Sequence, residues 1–472
     1  MTNTTRALHQ IERLHTEDEL LEMESKYCSF GDTVHYLDPP KFFERAEGSY
    51  LYDADGTAFL DLQMWYSAAS FGYGNERLNN ALKTQIDKLP QLASQYLHTE
   101  KVELAAAIGR LNESKFGETG RVHFNVGGSQ AIEDSLKLVR NETGKSLVFA
   151  FQGGYHGRTL GASAITSSFR YRRRFGHFSD RAHFVPFPYC FRCPYGKKRD
   201  TCELYCVDQF AKNFDTEYNS FWDAKAQESE FAAFYVEAIQ GTGGYVIPPE
   251  GYFPALKKIL DERHILMVDD EIQMGFYRAG KFWAIENFGV TPDIIVFGKA
   301  LTNGLNPLSG VWAKEGLISP DKFPPGSTHS TFSSNTLGTA VALELMHMMA
   351  ETDYETITHV KGVHFLDQIR ELQRKYPKVI GHTDGIGMAL RIEICQADGF
   401  EPDRELCDKI FAEGMKGDLD VSGRKMGLVL DVGGYYKNVF TLAPSFEITN
   451  EEIDLSIEML EMLIRRCAPE RI

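Results

Sequence analysis

The stretch Pro292-Asp-Ile-Ile-Val-Phe-Gly-Lys299-Ala300 decides how this chain is read. Its apolar run, Ile294 to Phe297, has the character of a strand, and a lysine closes it. Burying an ammonium costs far more than burying a methylene, so a lysine in that position is unusual. Desolvation lowers its pKa, which is what an amine needs to attack a carbonyl and form a Schiff base. Upstream, His264-Ile-Leu-Met-Val-Asp269-Asp270-Glu271 is a second strand-like run, and it ends in carboxylates. Taken alone, Lys299 or Asp270 would be a solvated strand terminus. Taken together, they supply the Schiff-base lysine and the aspartate for a pyridinium nitrogen that pyridoxal phosphate (PLP) enzymes require.

Around these runs, apolar segments alternate with helical patterns from about residue 100 to 345, the mark of a mostly parallel sheet covered by helices. Strands are expected at 121–125, 146–151, 231–237, 265–270, 294–298 and 310–313, and helices at 130–140, 253–263 and 337–350. Residues 1–40 read as an acidic amphipathic helix and a loop ending in Pro39-Pro40. Gly48 to Gly56 reads as a hairpin turning at Asp55-Gly56. After residue 350 come a long helix (359–375), Gly-rich strands and an amphipathic helix (450–466), an α+β pattern. The expected organisation is an N-terminal segment 1–75 joining a small domain, a large cofactor-binding domain 76–350 with a cysteine-rich insertion at 188–207, and a small C-terminal domain 351–472.

A chain of 472 residues is too long for one compact core, which agrees with two lobes. With 50 Lys+Arg against 66 Asp+Glu, the net charge of -16 argues against nucleic acid or an anionic membrane as a general partner. Charged residues through the first thirty positions leave no signal-peptide apolar core, and no apolar stretch approaches the ~18 residues of a spanning helix. The expectation is a cytoplasmic protein.

Three further segments carry chemistry. Phe124-Asn-Val-Gly-Gly128-Ser129-Gln-Ala leaves a strand, passes two glycines and enters a helix, whose free N–H groups make an anion site. Such turns often bind nothing, and this one lacks the lysine and spacing of a nucleotide P-loop. In Gly154-Tyr155-His156-Gly157-Arg158-Thr159, Tyr155 can stack on a flat ring and Arg158 can grip a carboxylate; alone, the segment is a turn with a surface arginine. The hydroxyls of Thr328-His-Ser-Thr331-Phe-Ser-Ser-Asn335 can bond a phosphate or cap the next helix.

From about Gly48 to the C-terminus these segments resemble the class III (ω-) aminotransferases of PLP fold type I, the 4-aminobutyrate and ornithine type. The family's Asp-Glu-Val-Gln-Thr-Gly-Phe-x-Arg-x-Gly block stands here as Asp270-Glu-Ile-Gln273-Met-Gly-Phe-Tyr-Arg278-Ala-Gly280, and its Pro-Asp-Ile-x-x-x-Gly-Lys-Ala block as residues 292–300. The resemblance implies that Lys299 forms the Schiff base and moves the proton, that Asp270 pairs with the pyridinium nitrogen, and that Gln273 reaches the ring's phenolic oxygen. It implies that Tyr155 stacks on the ring, that Gly128 and Ser129 cradle the phosphate, and that Thr331 reaches it from a partner subunit. A homodimer with its active sites at the interface follows. Arg158 falls where ω-amino-acid and ornithine enzymes hold the distal carboxylate, and Tyr66 beside it.

The substrate side departs from the family. Thr441 stands where an arginine usually binds the α-carboxylate of glutamate, and Thr242 where a glutamate parks that arginine. Their joint loss is coherent, since a lone buried charge is costly. It puts 2-oxoglutarate in question as the acceptor, unless Arg172, Arg173 or Arg174 substitutes. Gln130 is a milder departure. Cys190, Cys193, Cys202 and Cys206 form C-x2-C and C-x3-C pairs, a spacing open to structural zinc or an iron–sulfur centre. The alternative is a cysteine-bearing insertion without metal.

The sequence thus leads to an α/β enzyme of PLP fold type I with a smaller α+β C-terminal domain. It is expected to transfer the amino group of an ω-amino or diamino acid to a 2-oxo acid. Racemisation or decarboxylation with the same cofactor is the alternative, and a racemase would need a second acid–base group on the opposite face of the ring. A non-catalytic cysteine-cluster binding module is a more distant rival, with no use for an intact lysine, aspartate and phosphate loop.

Overall fold

The computed structural model describes residues 15–31, 35–172, 175, 178, 181–218 and 220–472. At its centre is a seven-stranded sheet in the order Gly120–Asn125, Ser309–Lys314, Ile294–Phe297, Leu266–Asp270, Phe231–Val236, Leu147–Phe151, His183–Val185. Ser309–Lys314 is antiparallel to both its neighbours, and every other pairing is parallel. Phe231–Val236 and Ile294–Phe297 are buried at every position, which explains their unbroken apolar sequence: helices cover both faces.

Each expected strand of this sheet is present to within a residue or two. The expected helices appear as Gly128–Thr143, Tyr252–Glu262 and Thr336–Glu351. The helix expected at 359–375 begins earlier, at Tyr354, because Asp353 caps it by accepting from the N–H of Thr356 at 3.0 Å. Near the N-terminus, Glu17–Tyr27 is a helix started by a Thr16/Glu19 capping box, with no residue buried.

The 48–56 segment makes the expected hairpin, between Tyr50–Tyr52 and Ala58–Asp61; Asp53 Oδ1 accepts from the N–H groups of Asp55 and Thr57 at 3.1 and 2.9 Å. Ala58–Asp61 then pairs in parallel with Arg424–Val429, so one five-stranded sheet joins the beginning of the chain to its end. A four-stranded antiparallel sheet (Ile380–Ile386, Ala389–Ile394, Val439–Leu442, Val432–Gly433) completes the smaller α+β part.

Arg278, fully buried, ties the two parts together. It donates to the carbonyls of Met388 (3.1 Å) and Pro444 (2.7 Å) and to Ser70 Oγ (2.7 Å), and its guanidinium lies over the Phe446 ring at 4.6 Å. Burial pushes its pKa down to about 10.

Candidate active site

Leu266–Asp270 and Ile294–Phe297 run parallel with Asp270 opposite Val296, so Asp270 and Lys299 emerge from the same, carboxyl-terminal edge of the sheet, where open α/β sheets bind their ligands. Lys299 has a left-handed backbone (φ 44°), which a non-glycine residue adopts only when its surroundings impose it. The turn after it does so, with Leu301 N–H bonded to Gly298 O (3.1 Å) and Asn303 N–H to Ala300 O (2.9 Å). Burial pushes the Lys299 amine below the usual lysine range, and the charges of Asp270, Glu237 and Asp431 offset this only in part.

Beneath the lysine lies a group of buried titratable side chains. His156 Nδ1 is 2.9 Å from Asp270 Oδ2, and the other carboxylate oxygen accepts from Ile272 N–H at 3.1 Å. Burial by itself would lower the His156 pKa, but Asp270 and then Glu237 outweigh it and hold the imidazole above its ordinary value. Glu237 accepts from Tyr155 N–H (2.8 Å) and Gly241 N–H (2.9 Å). Its burial, with Asp270 adding, pushes it up to about 7. Neither His156 nor Glu237 was singled out from the sequence. A histidine beside the expected ring-stacking tyrosine was the available signal, but a lone histidine is more often a core residue.

Lys299, Gln273, Tyr155, Arg158 and Tyr66, all named from the sequence, line one cavity of about 330 Å³. Arg158 lies over the Tyr171 ring at 4.4 Å, and Gln273 Nε2 donates to Tyr245 Oη at 3.0 Å. Beside this cavity, the helix Gly128–Thr143 starts from an extended Gly127 with no side-chain cap. Gln130 and Ala131 donate back to Gly127 O, but the N–H groups of Gly128 and Ser129 find no acceptor among the described residues. A Cβ on Gly157 would lie 2.2 Å from Ser129 Oγ, which itself accepts from Arg158 N–H. The unfilled donors suit a phosphate, the Asp270 carboxylate a protonated ring nitrogen, and the Lys299 amine an aldehyde. The residues present therefore fit PLP.

Tyr66 reaches the cavity from a costly piece of backbone. Met64, Trp65, Tyr66 and Ser67 all have positive φ (44–69°), at roughly 1–2 kcal/mol per residue. Asp61 holds this turn: Oδ1 accepts from Gln63 N–H (2.7 Å) and Met64 N–H (2.9 Å), and Oδ2 from Tyr73 Oη (2.7 Å). Trp65 packs so closely on Gly304 that a Cβ there would lie 2.7 Å from its ring.

Other expected residues do not come together here. Thr331 is exposed and outside this cavity. Arg172 donates to Ser167 O (2.8 Å) and stacks on Phe184, so it is not the substitute cation; Arg173 and Arg174 lie outside the described residues. Lys437 is the cation that lines the cavity instead, and Asp431 lies in it too, hydrogen-bonded by Thr441. Cys190, Cys193, Cys202 and Cys206 are free thiols, and among the described residues no three His, Cys, Asp or Glu side chains are grouped to hold a metal ion. Cys190 and Cys202 donate to the carbonyls of Pro188 and Arg199, and burial, with the charges of Cys190 and Cys202 adding, pushes Cys206 up to about 11.

A doubly wound sheet with a lysine and an aspartate at its carboxyl edge and an uncapped helix start beside them is the architecture of PLP fold type I. More narrowly, the chain belongs to the class-III aminotransferase family, whose model matches residues 33–464. It is 30% identical over 449 residues to a leucine/methionine racemase of Thermococcus litoralis, covering 95% of each chain. It is 28% identical over 441 residues to an ornithine aminotransferase of Brevibacillus brevis, covering 91% of this chain and 95% of that one. The fold matches taurine:2-oxoglutarate aminotransferase from Bifidobacterium kashiwanohense with a TM-score of 0.84 at 24% identity, over 98% of this chain and all of that one.

Proposed function

We propose that this enzyme transfers the amino group of an ω-amino acid or a diamino acid to a 2-oxo acid. The observation that carries the reading is the single cavity lined by Lys299 together with Arg158 and Tyr66, which offers an amine and a carboxylate grip to one small substrate. PLP, when bound, supplies the electron sink that makes the carbon–hydrogen bond beside the amine acidic. Lys299, whose burial favours the uncharged amine, accepts and returns that proton at its Nζ. Asp270, fixed by His156 and Ile272, keeps a proton on the ring nitrogen. Tyr155, whose backbone Glu237 anchors, forms the wall against the ring. Arg158, with Tyr66 beside it, orients the substrate's distal carboxylate. Gly128 and Ser129 hold the phosphate, with Thr331 added by a second copy in a cytoplasmic homodimer. Among the described residues no helix is long and apolar enough to cross a membrane.

Amino-acid racemisation is the second reading, favoured by the likeness to the Thermococcus litoralis racemase. A single-turnover reaction with a panel of amines and amino acids, followed by absorbance and chiral analysis, tests both. Conversion of the cofactor to its amine form supports transfer. Loss of chirality with the cofactor unchanged overturns it in favour of racemisation.

A further inference from the structure

The roles assigned above leave Asp431 unused, yet it is a half-buried carboxylate on the substrate cavity. It precedes the strand Val432–Gly433, at one end of a hairpin whose other arm is Val439–Leu442. Its side chain is fixed by one short hydrogen bond, from Thr441 Oγ1 to Oδ2 at 2.5 Å. On Oδ1 the contact is the Gln63 amide at a distant 3.4 Å. A carboxylate has about four acceptor sites, so most of its capacity is unspent. Among the described residues it makes no ion pair, although Lys437, in the turn of the same hairpin, lines the same cavity. A carboxylate with a purely structural role at this depth would be expected to have a full set of donors. This one is held in place and left open toward the ligand space.

Building on the aminotransferase reading above, we propose that Asp431 is the specificity-determining residue that selects a diamino acid: it binds the substrate's second, non-reacting ammonium group while the other amine meets Lys299. The carboxylate next to that ammonium falls to the cations on the same cavity, Arg158 and Lys437. A zwitterionic end group is thus gripped by both signs of charge. An ω-amino acid of the same length, lacking the second amine, leaves Asp431 desolvated and unpaired, which is the stronger part of the discrimination.

Three matched pairs differ only in that amine: 2,4-diaminobutanoate and 4-aminobutanoate, ornithine and 5-aminopentanoate, lysine and 6-aminohexanoate. In the holoenzyme, kcat/KM should favour the diamino member of the best-accepted pair by about 10- to 100-fold, the range of a hydrogen bond between charged groups. In Asp431→Asn that ratio should fall to within about threefold of unity, since an amide of the same shape makes no ion pair. A ratio near unity in the wild type, or one that survives the substitution, overturns the proposal while leaving the aminotransferase reading standing. A measurement without turnover keeps the two separable. Calorimetric binding of L-2-(dimethylamino)pentanoate, whose tertiary amine cannot condense with the cofactor aldehyde, and of pentanoate to the wild-type holoenzyme should favour the former by about tenfold or more. Equal affinities reject the role of Asp431 whichever reaction the enzyme performs, and need no variant to fold.

Discussion

Glu237→Gln tests the electrostatic floor of the active site. The carboxyl of Glu237 is pushed from its ordinary 4.5 up to about 7, first by burial and next by Asp270, against the pull of His156 and two backbone N–H donors. In the unfolded chain it returns to its ordinary value. Below pH 4.5 both states hold the proton and the group adds no pH dependence. Between 4.5 and 7 the unfolded chain has released the proton while the folded one keeps it, so stability falls as pH rises, and it levels off above 7. The whole span is worth about 3 kcal/mol, and pH 5 to 8 covers most of it. Glutamine cannot titrate, and its NH₂ faces one of the two N–H groups of Tyr155 and Gly241, at a cost of about 1–3 kcal/mol at every pH. The variant should therefore be clearly less stable than wild type at pH 5 and close to it at pH 8. With an unfolding entropy of about 2.1 cal/mol/K per residue, 1 kcal/mol is about 1 °C in a chain this long. The difference in Tm between variant and wild type should shrink by about 2–3 °C between the two pH values, by calorimetry at a fixed scan rate. A difference that does not change with pH refutes the displaced carboxyl.

Lys299→Ala should abolish turnover and the visible absorbance of the lysine-bound cofactor together; normal activity in that variant would sink the assignment. Arg158→Ala should lower kcat/KM for carboxylated amines by about 10-fold or more while sparing plain amines, and an equal loss for both removes its proposed role. Asp61→Ala strips the acceptor from Gln63 N–H, Met64 N–H and Tyr73 Oη, so chemical denaturation should report a loss of about 3 kcal/mol or more, and a loss below about 1 kcal/mol would show that the left-handed turn does not depend on Asp61.

Much of the frame was legible because its causes are local. Ile294–Phe297 and the run Leu266-Met-Val268 are apolar without interruption because both their faces are covered, and that pattern needs no knowledge of the neighbours. Five of the expected site residues sit on one cavity because each closes or follows such an element. The cysteines show the limit of the same approach. Four thiols between residues 190 and 206 have the spacing of a metal site and come near enough in the fold for their charges to act on one another, but spacing says nothing of how the side chains are arranged, and among the described residues no three metal-ligating side chains are grouped to hold an ion. Arg172 was near the cavity in sequence and is spent on Ser167 and Phe184, whereas Lys437, remote in sequence, lines it.

By itself, then, the sequence determined the sheet, the lysine at its edge and the cofactor class, since alternation of apolar runs with helices and the order of residues at a strand end are properties of consecutive positions. Tertiary structure decided the charges. His156 meets Asp270 across 114 residues, and Tyr155 meets Glu237 across 82. Asp431 comes to face the substrate space because Val432–Gly433 folds back against Val439–Leu442. A pKa or a preference for one ligand depends on burial and on distances between groups far apart in the chain, and those quantities exist only once the chain has closed on itself.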